Sequence, residues 1–227
     1  MKAKVLSILC QKGGTAKTTT TLNLAVEAVL RGLEVAVIDL DPQVSACDWK
    51  DLRGDKPPVV AATPVPHLER AINAADEAGA DLIIVDTAGR TNDAASAAAR
   101  VADLVLIALQ PSLIDLKTLG ATLEIIRLAG NKPARALLTR VRSAGNRHEE
   151  TASWLTQQGV EVCPATLGER VTYQDAYAQG QGVTESDPNG KAAEEVRQVY
   201  MYISQLLGIT TSRTRDEESR SASKRIA

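Results

Sequence analysis

The chain has 227 residues, of which 44% are hydrophobic, and a formal net charge of −2 at pH 7. This length is enough to bury one sizeable core, and the near-neutral charge gives no global reason to bind a polyanion, so any nucleic-acid contact must come from a local patch. Aromatic residues make up only 3% and Phe is absent, which argues against base-stacking platforms and membrane-interface belts. The three cysteines are far apart in the sequence and fit neither a disulfide framework nor a metal site, so we expect a cytoplasmic protein.

Short apolar runs alternate with helical patterns along most of the chain. An apolar strand over residues 5–10 leads through a glycine-containing loop into a helix over residues 18–30, and a strand over residues 35–38 follows. Further strands are predicted at 59–61, 82–85, 104–109 and 136–138, with a weaker one at 160–162, and further helices at 67–78, 116–128 and 192–207. Such alternation predicts an α/β fold with a doubly wound, mostly parallel sheet covered by helices on both faces.

The composition changes close to the C-terminal end. Residues 1–208 are expected to form one domain. Residues 209–227 contain mainly Ser, Thr, Arg and acidic side chains without apolar periodicity, which predicts a disordered polar tail.

The loop after the first strand carries the strongest chemical signal. A glycine-rich turn between a strand and a helix directs backbone N–H groups and the positive helix end toward an anion, which suits phosphates. In this loop Lys17 would place its charge between the β- and γ-phosphates, and the Thr18 hydroxyl could bind Mg²⁺. The predicted nucleotide-binding residues are Lys12, Gly13, Gly14, Thr15, Ala16, Lys17, Thr18 and Thr19.

This loop departs from the generic phosphate-loop pattern in two ways. Gln11 and Ala16 stand where that pattern has glycines, and a second lysine, Lys12, heads the loop. Alanine is free of strain only at negative φ, so we expect that conformation at position 16.

Carboxylates follow two of the predicted strands. Asp39 and Asp41 end the second strand, where one could orient water and the other bind hydrated Mg²⁺. Asp86 follows the apolar residues 82–85, the position of an acid that holds a metal-bound water in nucleotide hydrolases. Each could instead cap a turn or helix. Because ligands of parallel sheets bind at the carboxyl ends of strands, we expect these residues to lie beside the phosphate loop.

One stretch of the chain is basic. Residues 125–148 contain no acidic side chain, and Arg140, Arg142 and Arg147 are the candidates for contact with DNA phosphates. A solvated surface or a set of intrachain ion pairs explains the same stretch equally well.

Three motifs together resemble the ParA-type partition ATPases, in the branch of short ParA proteins that includes ParF, within the MinD and ParA group of deviant Walker P-loop proteins. The motifs are residues 12–19, 39–43 and 83–89, and the resemblance extends over about residues 2–207.

The resemblance implies roles for individual residues. Lys12 would reach across a two-fold interface to the nucleotide of the partner subunit, Lys17 would be the phosphate-loop lysine, and Asp39 would activate water. Thr18 would be the Mg²⁺ ligand, with Asp41 and Asp86 binding the waters around the metal.

The resemblance also implies a weak, Mg²⁺-dependent ATPase for plasmid or chromosome segregation. ATP would drive formation of a homodimer that binds nucleoid DNA without sequence preference, and a centromere-binding ParB-like partner would stimulate hydrolysis. A MinD-like ATPase that positions a cellular cargo, or a small-molecule enzyme using ATP, remains an alternative. No membrane partner is expected, because the tail lacks the amphipathic stripe of a membrane-binding helix, and a reductase of the nitrogenase-iron-protein type would require paired cysteines.

Overall fold

The computed structural model describes residues 2–89 and 92–209, with residues 113–115 described by their backbone only. The strands are β1 (Lys4–Leu9), β2 (Val35–Asp39), β3 (Val59–Ala62), β4 (Leu82–Asp86), β5 (Leu104–Leu109) and β6 (Ala134–Leu138). The helices are α1 (Lys17–Leu30), α2 (Ser45–Arg53), α3 (Leu68–Glu77), α4 (Asn92–Val101), α5 (Leu113–Leu128), α6 (Arg147–Gln157), α7 (Thr172–Ala178), α8 (Val183–Ser186) and α9 (Lys191–Leu207). The predicted tail beyond residue 209 lies outside the described residues.

The six strands form one sheet in the order β3-β2-β4-β1-β5-β6, and every neighbouring pair is parallel. Parallel strands need a crossover between them, which the helices supply. The predicted α/β class with a doubly wound parallel sheet is therefore confirmed.

Side chains on alternate strand positions point to opposite faces, and each face carries its own hydrophobic core. Leu6 and Ile8 of β1 belong to the core under α1, α2 and α9, whereas Val5 and Leu9 belong to the core under α3, α4 and α5. Both cores consist mainly of Ala, Val, Leu and Ile, in keeping with strands that are buried on both sides. No helix in the described ranges is long and apolar enough to cross a membrane.

The prediction of a weak strand at residues 160–162 is wrong. Only Val162 pairs there, through an isolated bridge to Ala136, and the next bridge on the same edge joins Gly168 to Val141. Pro164 lies between these bridges and has no N–H to donate, so a continuous ladder cannot form.

Candidate nucleotide-binding site

A cleft of about 650 Å³ opens at the carboxyl edge of the sheet, where β1 leads into α1. The phosphate loop forms one wall, and residues from the loops after β2, β4 and β6 form the others. The lining residues are Gly13, Gly14, Thr15, Ala16, Lys17, Thr18, Thr19, Asp41, Gln43, Ser45, Ala88, Gly89 and Arg140. The tertiary structure therefore gathers the three sequence motifs around one space.

Neighbouring strands hold the phosphate loop in shape. Gln110 at the end of β5 donates from Nε2 to the Gly14 carbonyl at 2.7 Å, and Thr139 at the end of β6 donates from Oγ1 to the Thr15 carbonyl at 3.0 Å. These bonds fix the orientation of two peptide groups of the loop before any ligand binds. The sequence prediction missed both as site residues, although each is a polar residue directly after an apolar strand.

Two features suit the loop to an anion: open space beside its glycines and a buried lysine close by. A Cβ built on Gly13 or Gly14 meets no atom within 4 Å, so the side of the loop that these glycines face is open. Lys17 is buried, and its ammonium donates to the Lys12 carbonyl at 3.1 Å. The first lysine of the loop thus accepts, on its backbone, a bond from the second.

Ala16 does not have the negative φ that we expect for alanine. It has φ 62° and ψ 30°, a left-handed conformation, and it directly precedes α1. Its carbonyl accepts bonds from the backbone N–H and the hydroxyl of Thr20. Alanine adopts this left-handed turn before α1 at a cost in conformational energy.

Asp39 and Asp86 are opposite each other in the register of β2 and β4. Both oxygens of the Asp39 carboxylate accept backbone bonds: Oδ1 accepts the Asp41 N–H at 2.9 Å, and Oδ2 accepts the Ala46 N–H at 3.0 Å. Burial raises the pKa of Asp39, and these N–H donors partly offset that effect. Asp41 lines the cleft itself, and its Oδ1 accepts the Gln43 N–H.

Asp86 is fully buried, and neither of its carboxylate oxygens has a hydrogen bond of normal geometry. Burial raises the pKa of this carboxyl to about 7; the hydroxyls of Thr18 and Thr21 and the charge of Lys17 oppose the shift, and the charge of Asp39 adds to it. A buried acceptor without a donor is costly unless a ligand completes it. Asp86 is therefore the strongest indication of a cation or ordered water at this edge.

The residues present fit a magnesium ion. Thr18, Asp41 and Asp86 supply the hard oxygen atoms that Mg²⁺ prefers, and the first two line the cleft. Within the described ranges no group of three or more His, Cys, Asp or Glu side chains could hold a metal. Mg²⁺ usually binds to proteins through one or two side chains together with phosphate oxygens and water.

The loop after β4 touches the phosphate loop without space for a side chain. A Cβ on Gly89 would lie 2.6 Å from the Gly13 nitrogen and 2.7 Å from the Lys12 carbonyl carbon. Thr87 pins the same loop to β1 by donating from Oγ1 to the Ile8 carbonyl at 2.8 Å. The loop that follows Asp86 is therefore in direct contact with the backbone of Lys12 and Gly13.

The three arginines proposed for DNA contact lie around a second cleft of about 410 Å³, next to the first. Arg140 also lines the nucleotide cleft, while Arg142 lies 3.6 Å from Glu169 with both side chains exposed. Such an exposed pair is weak and can exchange for a phosphate. Arg147 is the first residue of α6 and is exposed.

Residues 125–148 contain no acidic side chain, but the fold brings glutamates from outside this stretch next to its arginines. Arg127 pairs with Glu124 at 2.6 Å, and Arg135 pairs with Glu161 at 2.8 Å. The ion-pair interpretation therefore holds for these two arginines, which lie outside the second cleft.

Comparison with known proteins identifies the family. The family model described as the CobQ/CobB/MinD/ParA nucleotide binding domain matches residues 6–183. The chain belongs to this family. The resemblance inferred from the three motifs is thereby confirmed, and this ParA/MinD-family chain carries a nucleotide-binding domain.

Two relatives align with this chain over most of their own length. Protein ParA of Rhizobium radiobacter is 32% identical over 186 residues, which is 78% of this chain and 83% of the relative. Maintenance of carboxysome distribution protein A of Gloeobacter kilaueensis is 31% identical over 209 residues, which is 90% of this chain and 94% of the relative.

Solved structures of low sequence identity share the fold. A variant of McdA from Cyanothece in complex with ATP has a TM-score of 0.74 at 17% identity and covers 92% of this chain and 98% of its own. MinD from Pyrococcus horikoshii with Mg-ADP has a TM-score of 0.72 at 19% identity and covers 92% of this chain and 99% of its own. The ParA/MinD arrangement of sheet and helices is therefore present in this chain.

We predict that Ala16→Gly stabilises the nucleotide-free protein. The left-handed conformation costs an L-residue about 1–2 kcal/mol and costs glycine almost nothing, so the unfolding free energy should rise by about 1 kcal/mol in urea denaturation. Ala74→Gly on the exposed face of α3 is the matched control and should lower it by about 1 kcal/mol. Equal losses of stability in the two variants would contradict the backbone geometry at position 16.

We predict that Asp86→Asn stabilises the protein when nucleotide and metal are absent. A carboxyl whose folded-state pKa is about 7, against 3.8 unfolded, binds more protons when folded. Its contribution to stability is therefore present below pH 4 and is lost as pH rises to 7. In EDTA at pH 8 the variant should melt roughly 5 °C above the parent, with little difference at pH 4.

The control for this experiment is Asp51→Asn, which changes an exposed carboxylate on α2 and should leave the melting temperature unchanged at both pH values. With Mg-ATP present the parent should gain more stability than Asp86→Asn. A variant that melts below the parent at pH 8 without ligands would show that Asp86 is satisfied in the folded protein.

Proposed function

We propose that this chain is a Mg²⁺-dependent ATP hydrolase that segregates plasmid or chromosomal DNA. ATP binding forms a sandwich homodimer, the dimer binds nucleoid DNA without sequence preference, and a ParB-like adaptor stimulates hydrolysis and release. The observation that carries this proposal is the contact between two loops. The phosphate loop, which begins with Lys12, packs against Gly89. Gly89 belongs to the loop after β4, and this loop directly follows Asp86, whose carboxylate oxygens have no hydrogen bond of normal geometry. Family membership and the ParA relative of Rhizobium radiobacter support it.

The residues of the cleft divide the work of phosphoryl transfer. Lys17 gives up its bond to the Lys12 carbonyl and places its ammonium at the β- and γ-phosphates. Thr18, Asp41 and Asp86 would hold the metal ion. When bound, Mg²⁺ neutralises charge on the phosphate oxygens. Asp39, already oriented by two N–H donors, positions the attacking water.

Lys12 makes hydrolysis depend on a second subunit. It lies half-buried at the head of the loop, beside the exposed backbone of Gly13 and Gly14. A cation supplied in trans to the phosphates of a partner both completes the site and offsets the repulsion between two facing nucleotides. The contact between Gly89 and the Lys12–Gly13 backbone would let the loop after β4 report the γ-phosphate to this lysine.

The positioning of a cellular cargo is the second candidate. The carboxysome distribution protein of Gloeobacter kilaueensis aligns with 90% of this chain and is covered over 94% of its own length. Both candidates use the same ATP site and differ in the partner that stimulates it. A small-molecule enzyme would differ from both, because nonspecific DNA would not change its rate.

We predict that nonspecific DNA raises the ATPase rate of the parent several-fold.

Lys12→Ala should bind ATP nearly as well as the parent but form no ATP-dependent dimers in size-exclusion chromatography, because it lacks the charge that spans the interface. Lys4→Ala removes an exposed lysine from the amino end of β1, at the opposite edge of the sheet, and should behave as the parent. Persistent dimers of Lys12→Ala would refute the trans role of this lysine, and a rate indifferent to DNA would favour a metabolic enzyme.

The second cleft supplies the DNA test. We predict that Arg142→Glu combined with Arg147→Glu weakens DNA binding roughly tenfold at fixed salt and lowers the slope of log K against log salt by about 2. Arg140 is left intact because it also lines the nucleotide cleft. Lys4→Glu combined with Arg127→Glu makes the same charge change elsewhere on the surface and should cost less. Equal losses in the two double variants would show that only net charge matters.

A further inference from the structure

One peptide group links the proposed water-orienting carboxylate to a distant helix. The Ala46 N–H donates to Asp39 Oδ2 at 3.0 Å, and the carbonyl of the same peptide group, that of Ser45, accepts the Tyr177 hydroxyl at 2.7 Å. Because a peptide group is planar and rigid, its two ends cannot reorient independently. The position of the Tyr177 hydroxyl therefore bears directly on the orientation of Asp39.

Tyr177 lies on α7, half-buried against the core beneath α1, α2 and α9. Burial raises the pKa of its phenol, and the nearby carboxylates of Asp48 and Asp39 raise it further, so the hydroxyl keeps its proton and acts as a donor. A bond donated to a peptide carbonyl also polarises the N–H on the other side of that peptide group, which strengthens the bond to Asp39.

The segment that carries Tyr177 is held firmly against α2. Arg53 at the end of α2 donates to the Gly180 carbonyl at 2.8 Å and forms a two-pronged pair with Glu185, and Trp49 donates to the Gln181 carbonyl at 3.2 Å. The Arg53 side chain is 2% exposed. A bidentate pair in such an environment has little freedom to rearrange, so α2, α7 and α8 behave as one unit.

The same segment is fastened to the helix that follows the phosphate loop. Asn23 of α1 accepts the Val183 N–H at 2.8 Å, and Gly182 packs so closely on Val26 that a Cβ would lie 2.8 Å from its nearest atom. Segment α7–α8 therefore connects α1, the helix that follows the phosphate loop, with the first turn of α2, where Ala46 donates to Asp39.

The turn between Asp41 and α2 is strained. Val44 has φ 47° and ψ 33°, a left-handed conformation that a β-branched residue rarely adopts. Such a residue keeps this conformation only when its surroundings hold it there. The peptide group between the next two residues, Ser45 and Ala46, is held at one end by the Asp39 carboxylate and at the other by the Tyr177 hydroxyl.

We propose that Tyr177 is a positioning residue for ATP hydrolysis, acting on Asp39 through the Ser45–Ala46 peptide group. This inference rests on the proposed function of Asp39 as the residue that orients the attacking water. Loss of the hydroxyl leaves the phosphate loop intact and lets the carboxylate turn away from its productive orientation.

The test is Tyr177→Phe, which removes one oxygen atom. We expect kcat to fall about three- to tenfold, while the Kd for a non-hydrolysable ATP analogue stays within twofold and the melting temperature changes little. Tyr202→Phe is the matched control, because its hydroxyl accepts a bond from Arg135 Nε at 3.0 Å beside the start of β6, far from the cleft. That variant should keep the parental kcat.

A second measurement does not need catalysis. Hydrogen exchange of the Ala46 amide, followed by NMR, should become faster in Tyr177→Phe and stay unchanged in Tyr202→Phe. Parental kcat in Tyr177→Phe, or an unchanged exchange rate at Ala46, would overturn the proposal. So would a weaker Kd or a melting temperature that falls in proportion to kcat, because either would mark a purely structural role.

The two proposals fail in different ways. If the parent does not hydrolyse ATP under any condition, the proposed function is refuted, and the exchange of the Ala46 amide alone decides whether Tyr177 orients Asp39. If the parent is active and Asp39→Asn is inactive, the kcat of Tyr177→Phe decides the positioning role.

Discussion

The parallel pairing of β4 with both β1 and β2 is the constraint on which the site depends. It places Asp86 level with Ile8 on one side and with Asp39 on the other. The loops that follow these strands then meet so closely that only glycine fits at position 89. The contact is between backbones, so the phosphate loop and the loop after β4 pack directly on each other.

The charged side chains at this edge of the sheet favour the binding of a phosphate group with a cation. Asp86 is buried, no hydrogen bond of normal geometry reaches its carboxylate oxygens, and its raised pKa expresses the cost of ionising it there. Lys17 bonds instead to the Lys12 carbonyl. A phosphate group with a divalent cation would satisfy both residues at once, so the nucleotide-free protein keeps its charged groups in less favourable surroundings than the bound protein. Binding free energy is thereby linked to the stability of the loops.

Helices α2, α7 and α8 add a mechanical connection that the phosphate loop alone does not provide. They join the first turn of α2, where Asp39 is capped, to α1 behind the loop, through Arg53, Glu185 and the Val183 N–H on Asn23.

The sequence by itself determined the class of fold, the phosphate loop and the carboxylates, because apolar strands, glycine turns and the acids that end strands are local patterns. It did not reveal the left-handed Ala16, the supports from Gln110 and Thr139, or the Tyr177 contact, and it misassigned residues 160–162 as a strand. The tertiary structure also paired arginines of an acid-free stretch with distant glutamates. Apart from the conformation of Ala16, these features join residues from 26 to 132 positions apart, and only the packing of the whole sheet and its helices brings such groups together.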